Sequence, residues 1–370
     1  MIENMPEHFI ETYFEPTLNE ILNKLEYDFQ NNFEKYKLEF IENFKEFCNI
    51  VKEEFPNLEI AYISYNLMLT NILNHKYKYN IYVYDSNWYL GIQKDIKILE
   101  YDVTFIYKYF EEMWLKLLKE RKGYIFKIND TDVNNLMIMI IDKFHYYVVS
   151  LMRNSIVELT ETKEFINLNK YNEINIHTGK FYDEFDIVYI GKKEKNIIKI
   201  KKEINKSEKY INRDLMNLEI INIDFNVYDL RGTDFRNSRI IDVNLEYKML
   251  TGAKFKNCEI INTSFKSSFL SEVNFENANL SGNNLTSIYI YKGKNNSLLD
   301  IGFLEANFKN TNLTNVDFTG SILENIDFTE SILNNTIFDS CKLTNCKFTK
   351  KQLELIKLTE EQKKQIKIKR

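Results

Sequence analysis

Cys341 and Cys346 stand five residues apart, close enough for two thiolates to approach one metal ion, but no further Cys or His lies near them to complete a tetrahedral set. Cys48 and Cys258 are remote from them and from each other, so the four cysteines read as reduced thiols rather than a disulfide framework. The histidines, His8, His75, His145 and His177, show no ligand spacing; His145, beside Tyr146 and Tyr147 in a predicted helix, reads as a core or interface residue. There is no Gly-rich phosphate loop, no Gly-x-Ser-x-Gly elbow and no Cys/His pair in a catalytic frame. The expectation is a chain without catalytic residues, cofactor or metal. Two polar stretches stand out instead. The Lys-rich stretch 191–209 carries eight Lys against three Glu; such clusters attract phosphate but are mostly solvated, so it reads as a linker or cap, with no direct nucleic-acid contact expected. The other is the polar loop at 291–297, containing Tyr291, Lys292, Lys294, Asn295 and Asn296, which by its residues alone reads as a tolerated insertion.

The elements that must position these residues fall into two groups. At 370 residues the chain is long enough for two domains, each with its own core. The net charge of −5 is unevenly spread, with 14 acids against 5 bases in residues 1–60. Asn, Ile, Lys, Phe and Tyr are abundant, a bias that matches AT-rich coding. The opening residues carry no basic n-region followed by an apolar h-region, and the apolar run Leu136–Ile141 is far short of the roughly 20 residues of a membrane span, so a cytoplasmic location is expected.

Residues 1–190 read as an α-rich (α+β) domain. Thr17 and Glu20 form a capping box after Pro16, and Pro56 closes the segment, predicting one long helix over 17–55. Its stripe of Leu18, Leu22, Leu25, Phe29, Phe33, Tyr36, Phe40, Phe44, Phe47 and Val51 has an eleven-residue period, which keeps it on one face of a nearly straight helix. It reads as a core helix rather than a dedicated partner-binding one. Alternation through Ile60, Tyr62 and Ser64, and through Tyr77, Tyr79, Ile81 and Val83, predicts a strand pair closed by Asp85-Ser86-Asn87. Helices are expected over about 95–122 and about 130–159, the second buried at Leu136–Ile141. Short strands are expected around Ile174–Ile176 and Phe185–Tyr189.

From Ile220 to Leu353 the pattern changes to a period of five. Every fifth residue from Ile220 to Ile290, and again from Leu298 to Leu353 after an offset of three residues, is aliphatic or Phe: 27 of 27 positions in a chain 44% hydrophobic overall. Neither a helix nor a strand has that period, so it describes a solenoid with one corner per repeat. Two residues before each large residue stands a small one, such as Thr233, Ser268, Ala278 or Cys341. One residue before it Asp or Asn recurs, as in Asp234, Asn279 and Asp317, residues suited to turns.

Ala278-Asn279-Leu280 and Ala306-Asn307-Phe308 resemble the consensus of the pentapeptide-repeat family. The resemblance covers about 135 residues. It implies an all-β right-handed quadrilateral β-helix over 213–354, with one pentapeptide per side and the large and small residues inward. Within this frame Phe308, Phe328 and Phe348 should stack along one side, facing Phe318 and Phe338. The loop at 291–297 becomes an outward bulge of three extra residues. Residues 191–212 become a linker or cap, and residues 355–370 a C-terminal cap in which Leu355, Ile356 and Leu358 cover the open end and Thr359 with Gln362 starts a short helix.

The functional expectation is a non-catalytic interaction or scaffold protein with an unidentified protein partner. Among relatives of the Qnr type, loops thrown out from the coil contribute to action on DNA gyrase and a C-terminal helix assists dimerisation. By that analogy Tyr291, Lys292, Lys294, Asn295 and Asn296 are candidate partner-binding residues, against a tolerated insertion. The resemblance therefore brings an alternative, protection or inhibition of a type II topoisomerase, and a possible homodimer. DNA mimicry needs acidic sides. Arg213–Lys351 holds 17 acids and 15 bases, and Arg236 and Lys256 share a ladder with Glu276. An enzyme with a repeat appendage is the remaining alternative; it requires a polar cleft within residues 1–190.

Overall fold

A computed structural model divides the chain into two compact units, Met1–Ile190 and Gly191–Arg370. It describes residues 6–88, 96–181, 183–192, 210–225, 227–291 and 304–369.

In the first unit the expected long helix is two helices, α1 (Glu15–Asn31) and α2 (Phe33–Glu54). The helical run also starts before Thr17, with a turn at Glu7–Phe9 and a π-helical turn at Ile10–Phe14. Thr17 therefore caps nothing. Pro16 sits inside the run, where its ring displaces the carbonyl four residues back, and the π turn lies where that displacement falls. The break at Asn32 has a local cause: its side-chain amide donates to the Asp28 carbonyl (3.1 Å) and carboxylate (2.8 Å), competing with the helix ladder. The eleven-residue stripe survives the break, with Leu22 to Val51 buried.

The strands form one mixed sheet in the order β3-β2-β1-β4-β5: β1 (Ile60–Leu67), β2 (Lys78–Tyr84), β3 (Ile96–Asp102), β4 (Lys170–Lys180) and β5 (Phe185–Lys192). β1 pairs antiparallel with β2 and parallel with β4. A short helix, α3 (Leu69–Leu73), links β1 to β2. The helix expected from residue 95 begins only at α4 (Thr104–Glu120), because pairing with β2 claims the preceding residues and the Asp102 carboxylate accepts the Thr104 amide at 2.8 Å. The helix expected over 130–159 is likewise two, α5 (Asp130–Met139), opened by an Asn129–Asp132 capping box, and α6 (Ile141–Glu161), with α7 (Lys163–Ile166) after it. Leu136, Met137, Ile140 and Ile141 are buried but Met139 is exposed, so this stretch is not apolar all round.

In the second unit, parallel pairing joins residues 20 apart: Asp214 to Asp234 to Lys254 to Asn274 on one side, and β6 (Glu219–Ile221), β7 (Arg239–Ile241) and β8 (Glu259–Ile261) on another. Four pentads therefore make one turn. The core column reaches back to Tyr210 and Leu215. Two devices recur at the pentad corners. The Asx residue before the large one accepts the amide two positions on, as Asp234 does from Arg236 (3.1 Å) and Asn312 from Thr314 (3.1 Å). The residue two after the large one adopts a left-handed backbone, φ +47 to +72°, and is most often Asn or Gly. The small inward residues have a third task. Thr233, Ser268, Cys258, Cys341 and Ser331 donate to the carbonyl of the large residue one turn earlier at 2.6–2.9 Å.

Phe235, Phe255 and Phe275 stack at 4.9 and 5.0 Å, and the column continues through Phe308, Phe328 and Phe348. Phe318 and Phe338 face it, 5.3 Å apart and nearly parallel. The interruption is longer than its sequence reading. Asn274 pairs with Asn307, and Tyr289 in β9 (Tyr289–Ile290) with Ile322 in β10 (Ile322–Leu323), both 33 residues apart instead of 20. Thus 33 − 20 = 13 extra residues fall between Ile290 and Phe308, and the register passes over Leu298 and Phe303, which lie outside the described residues. An insertion of 13 and one of three leave the same five-residue phase, which is why the period could not separate them.

At the C-terminal end, β11 (Lys347–Thr349) leads into α8 (Lys350–Leu353), then α9 (Glu360–Gln365) and β12 (Lys367–Lys369), which pairs with β11. The Thr359–Gln362 capping box is present. Ile356 is buried and Leu358 packs on the core, but Leu355 is exposed.

Candidate binding surfaces

The outward positions just before the large residues form vertical ladders on the coil. Three sides carry polar rungs in most turns, such as Glu219-Arg239-Glu259-Asn279-Asn312 and Asp234-Lys254-Asn274-Asn307-Asp327. The fourth differs. Met249, Phe269, Tyr289 and Ile322 follow one another in register, half-buried, with the Phe269 and Tyr289 rings stacked at 5.1 Å; Asp229 and Lys342 occupy the rungs at either end. At one corner Asn217, Asn237, Asn257, Asn277 and Asn310 form a continuous amide chain, each side chain donating to the one before it at 2.9–3.3 Å. Charges on the coil are largely paired: Arg239 bridges Glu219 and Glu259, Lys256 meets Glu276 at 3.2 Å and Lys342 meets Glu324 at 3.3 Å. Arg236, read from its spacing as an outward residue, is buried against Asp234 at 2.8 Å.

Of the candidate loop residues, Tyr291 closes the apolar side, its amide donating to Ser271 Oγ at 3.3 Å. Lys292, Lys294, Asn295 and Asn296 lie outside the described residues, as does most of the Lys-rich stretch. The four cysteines are free and buried. Burial pushes the thiols of Cys258 and Cys346 up to about 12 and that of Cys341 to about 11, so none is a nucleophile near neutral pH. Among the described residues no group of three His, Cys, Asp or Glu is placed to hold a metal ion, and no helix is long and apolar enough to cross a membrane.

The first unit has a second surface that the reading of motifs missed. One face of its sheet, with Ile63, Tyr65, Tyr79 and Ile81, packs on helices: Tyr65 meets Phe40 of α2 at 5.7 Å and the Tyr79 hydroxyl meets His145 Nδ1 of α6 at 2.6 Å. His145 Nε2 lies 3.7 Å from Asp186, which Arg153 also holds at 3.0 Å. Burial raises the Asp186 carboxyl, but His145 and Arg153 outweigh it and keep it below the usual carboxylate range. This is a core network, as expected of His145. The other face is polar and aromatic. On β1 it carries Tyr62, Ser64 and Asn66, on β2 Asn80, Tyr82 and Tyr84, and on β4 His177. Ser64 pairs across the sheet with both Tyr82 and His177, and Asn66 with Asn80. Trp88 stacks on His177 (4.7 Å, 8°) and Phe181 on Tyr82 (5.5 Å). Gly179 sits where the turn into β5 passes close above the sheet; an added Cβ would lie 2.5 Å from the Glu184 carbonyl. Burial drives the His177 imidazole down to about 4, so it is neutral near pH 7. The available signal was the recurrence of Ser, Asn and His at alternate positions of strands otherwise rich in Tyr and Ile.

Residues 258–288 and 311–349 match the family described as pentapeptide repeats, in eight copies, so the match lies wholly within the second unit and skips the insertion. No curated protein matches the chain. Among solved structures, a trypsin-treated form of QnrB1, a plasmid-mediated fluoroquinolone resistance protein, is 18% identical with a TM-score of 0.34, covering 44% of this chain and 86% of its own. A pentapeptide repeat protein from the Arabidopsis thaliana thylakoid lumen is 23% identical (TM-score 0.17; 36% of this chain, 70% of its own). HetL, involved in heterocyst differentiation regulation in the cyanobacterium Nostoc, is 16% identical (TM-score 0.15; 41% of this chain, 92% of its own). With the 20-residue turn, the Asx bonds and the inward Phe columns in place, the C-terminal region of this chain is a run of pentapeptide repeats.

Proposed function

We propose that this is a non-catalytic interaction or scaffold protein whose pentapeptide coil, taken as right-handed and four-sided as the family implies, presents a preorganised surface to a protein partner. The supporting observation is the apolar ladder Met249-Phe269-Tyr289-Ile322 on a coil whose other sides are mainly polar. Aromatic and Met side chains are the residue types enriched where proteins meet. Side chains fixed in a ladder lose little freedom on binding, which lowers the ordering cost of association. Tyr291 borders this side, and the loop residues Lys292, Lys294, Asn295 and Asn296 follow it in the chain and belong to the same proposal.

The test is affinity capture from the native host with the full chain and with Phe269→Asp and Tyr289→Asp variants. A protein retained by the wild type and lost by both variants supports the reading; a partner set indifferent to both changes sinks it. Topoisomerase protection, the reading the Qnr resemblance brings, is less well supported, because an acidic DNA-like side is what the Arg239, Lys256 and Lys342 bridges neutralise. A gyrase supercoiling assay, with and without drug, addresses it directly: neither inhibition nor protection at micromolar protein removes it.

A further inference from the structure

We propose that the β2–β1–β4 face of the first unit is a binding site for a neutral, planar nitrogen heterocycle of the nucleobase class. Two independent observations carry this. The first is a row of buried polar atoms without hydrogen-bond partners: Asn66 Nδ2, Asn80 Oδ1 and both ring nitrogens of His177, on residues 3%, 8% and 2% exposed. Buried polar side chains are nearly always paired, to the protein, to water or to a bound group, so several left unpaired on one face call for a partner from outside the chain. The second is the set of flat rings around the row. Phe181 stacks on Tyr82 at one end, and at the other Trp88 stacks on His177, which also meets Phe185 at 4.6 Å.

The chemistry of these unpaired atoms defines the ligand. Asn66 Oδ1 accepts from Ser64 Oγ at 2.9 Å and Asn80 Nδ2 donates toward the Tyr82 hydroxyl at 3.4 Å, which orients the two amides. What remains is a free donor on Asn66 beside a free acceptor on the paired residue Asn80. That combination fits the adjacent acceptor and donor on one edge of an aminopurine or aminopyrimidine, such as the N7 and N6 of adenine that Asn reads in nucleic acids. The neutral imidazole of His177 adds one donor and one acceptor. Among the described residues, those named at the centre of the face are uncharged; Glu100, in register with Asn80, is tied to Lys78 (3.0 Å) and Lys97 (2.5 Å) at the β3 edge, and Glu173 of β4 lies near Tyr62. A phosphate or carboxylate would find no counter-charge there, whereas a planar ring finds stacking partners at both ends.

The full chain is titrated with adenine, cytosine, adenosine and cytidine, with toluene as a ring lacking hydrogen-bonding groups, by calorimetry and by tryptophan fluorescence. Trp88 reports on the site and Trp114, hydrogen-bonded to Asn134, serves as the internal reference. The expected result is saturable binding of at least one base or nucleoside, weakened at least about tenfold by Asn66→Leu and by Asn80→Leu. Should Asn66→Leu not fold, Asn80→Leu and Phe181→Ala read the hydrogen-bonded edge and the stacked ring separately. No saturable signal from any base at about 1 mM, toluene binding as tightly as the bases, or bases binding equally well to the variants would overturn the proposal.

Discussion

Gln362 repeats on one side of the coil what Gln352 does ten residues earlier on the opposite side. Gln352 Nε2 donates to the carbonyls of Phe328 (2.6 Å) and Ser331 (2.8 Å), and Gln362 Nε2 to those of Phe338 (2.7 Å) and Cys341 (3.0 Å). Each Gln is also the N3 residue of a Thr-x-x-Gln capping box, so one side chain starts a short helix and closes one side of the last turn. The Phe328 and Phe338 carbonyls are of the kind that Ser, Thr and Cys serve in the turns below, and an open solenoid end is where they would otherwise be orphaned. Replacing either Gln by Leu should cost about 1–3 kcal/mol through unpaired buried carbonyls. Thermal unfolding followed by circular dichroism tests this, and the double variant should show the sum within a few tenths of a kcal/mol, because the two sites share no partner. A shift too small to measure would mean that water reaches these carbonyls.

Phe328 is the residue on which the lower column depends most. Its ring lies between Phe308 at 5.5 Å and Phe348 at 5.1 Å, with Phe318 and Phe338 edge-on across the core. Phe328→Ala should cost about 3–5 kcal/mol, and Phe328→Leu clearly less, since Leu already fills the corresponding place at Leu245 and Leu285 in the opposite column. Both Trp residues lie in the first unit, so far-ultraviolet dichroism is the probe for the coil. Equal losses for Ala and Leu would argue that stacking, rather than volume, dominates.

Gly282 isolates the backbone contribution of a corner. Its φ is +72°, and nothing lies within 4 Å of where a Cβ would stand. Gly282→Ala should therefore lose stability for conformational reasons alone, about 1–2 kcal/mol, while Gly282→Asn stays closer to wild type because Asn tolerates that region. Chemical denaturation of the pair decides it. Equal losses would show that corner Asn residues such as Asn257 and Asn335 are selected for their ladders and not for their backbone.

These corners also explain what could be read in advance and what could not. The inward columns were legible because a solenoid applies one rule at every fifth position, and Phe225 to Phe275 and Phe308 to Phe348 obey it. The abundance of Asn looked like coding bias, yet the left-handed corners and the Asn217–Asn310 chain give much of it a structural task. The size of the insertion was hidden by a phase that 13 and three residues share. Helix breaks at Asn32 and Ile140 escaped because the apolar stripe runs through them, and only side-chain competition or sheet pairing marks an end. The polar face of the first unit was missed because Ser64, Asn66 and Asn80 look like solvent-facing alternates until the fold buries them.

His177 should make the first unit sensitive to mild acid. Its imidazole is buried with both nitrogens unpaired, and burial lowers its pKa from 6.5 to about 4. The neutral form is the one the fold accepts, so its contribution is intact above pH 6.5 and is lost as pH falls from 6.5 towards 4, where the unfolded chain binds the proton and the folded one does not. The full loss across that window is about 3 kcal/mol. Asp186, whose carboxyl is held below its ordinary 3.8, loses its contribution only in stronger acid, so the two windows separate. Urea unfolding followed by tryptophan fluorescence reports on the first unit alone, since Trp88 and Trp114 both lie there. Wild-type stability should fall steadily between pH 6.5 and 4.5, and His177→Phe should flatten that slope while keeping the stack under Trp88. An unchanged slope in the variant would assign the acid sensitivity to other groups and leave His177 without a role in it.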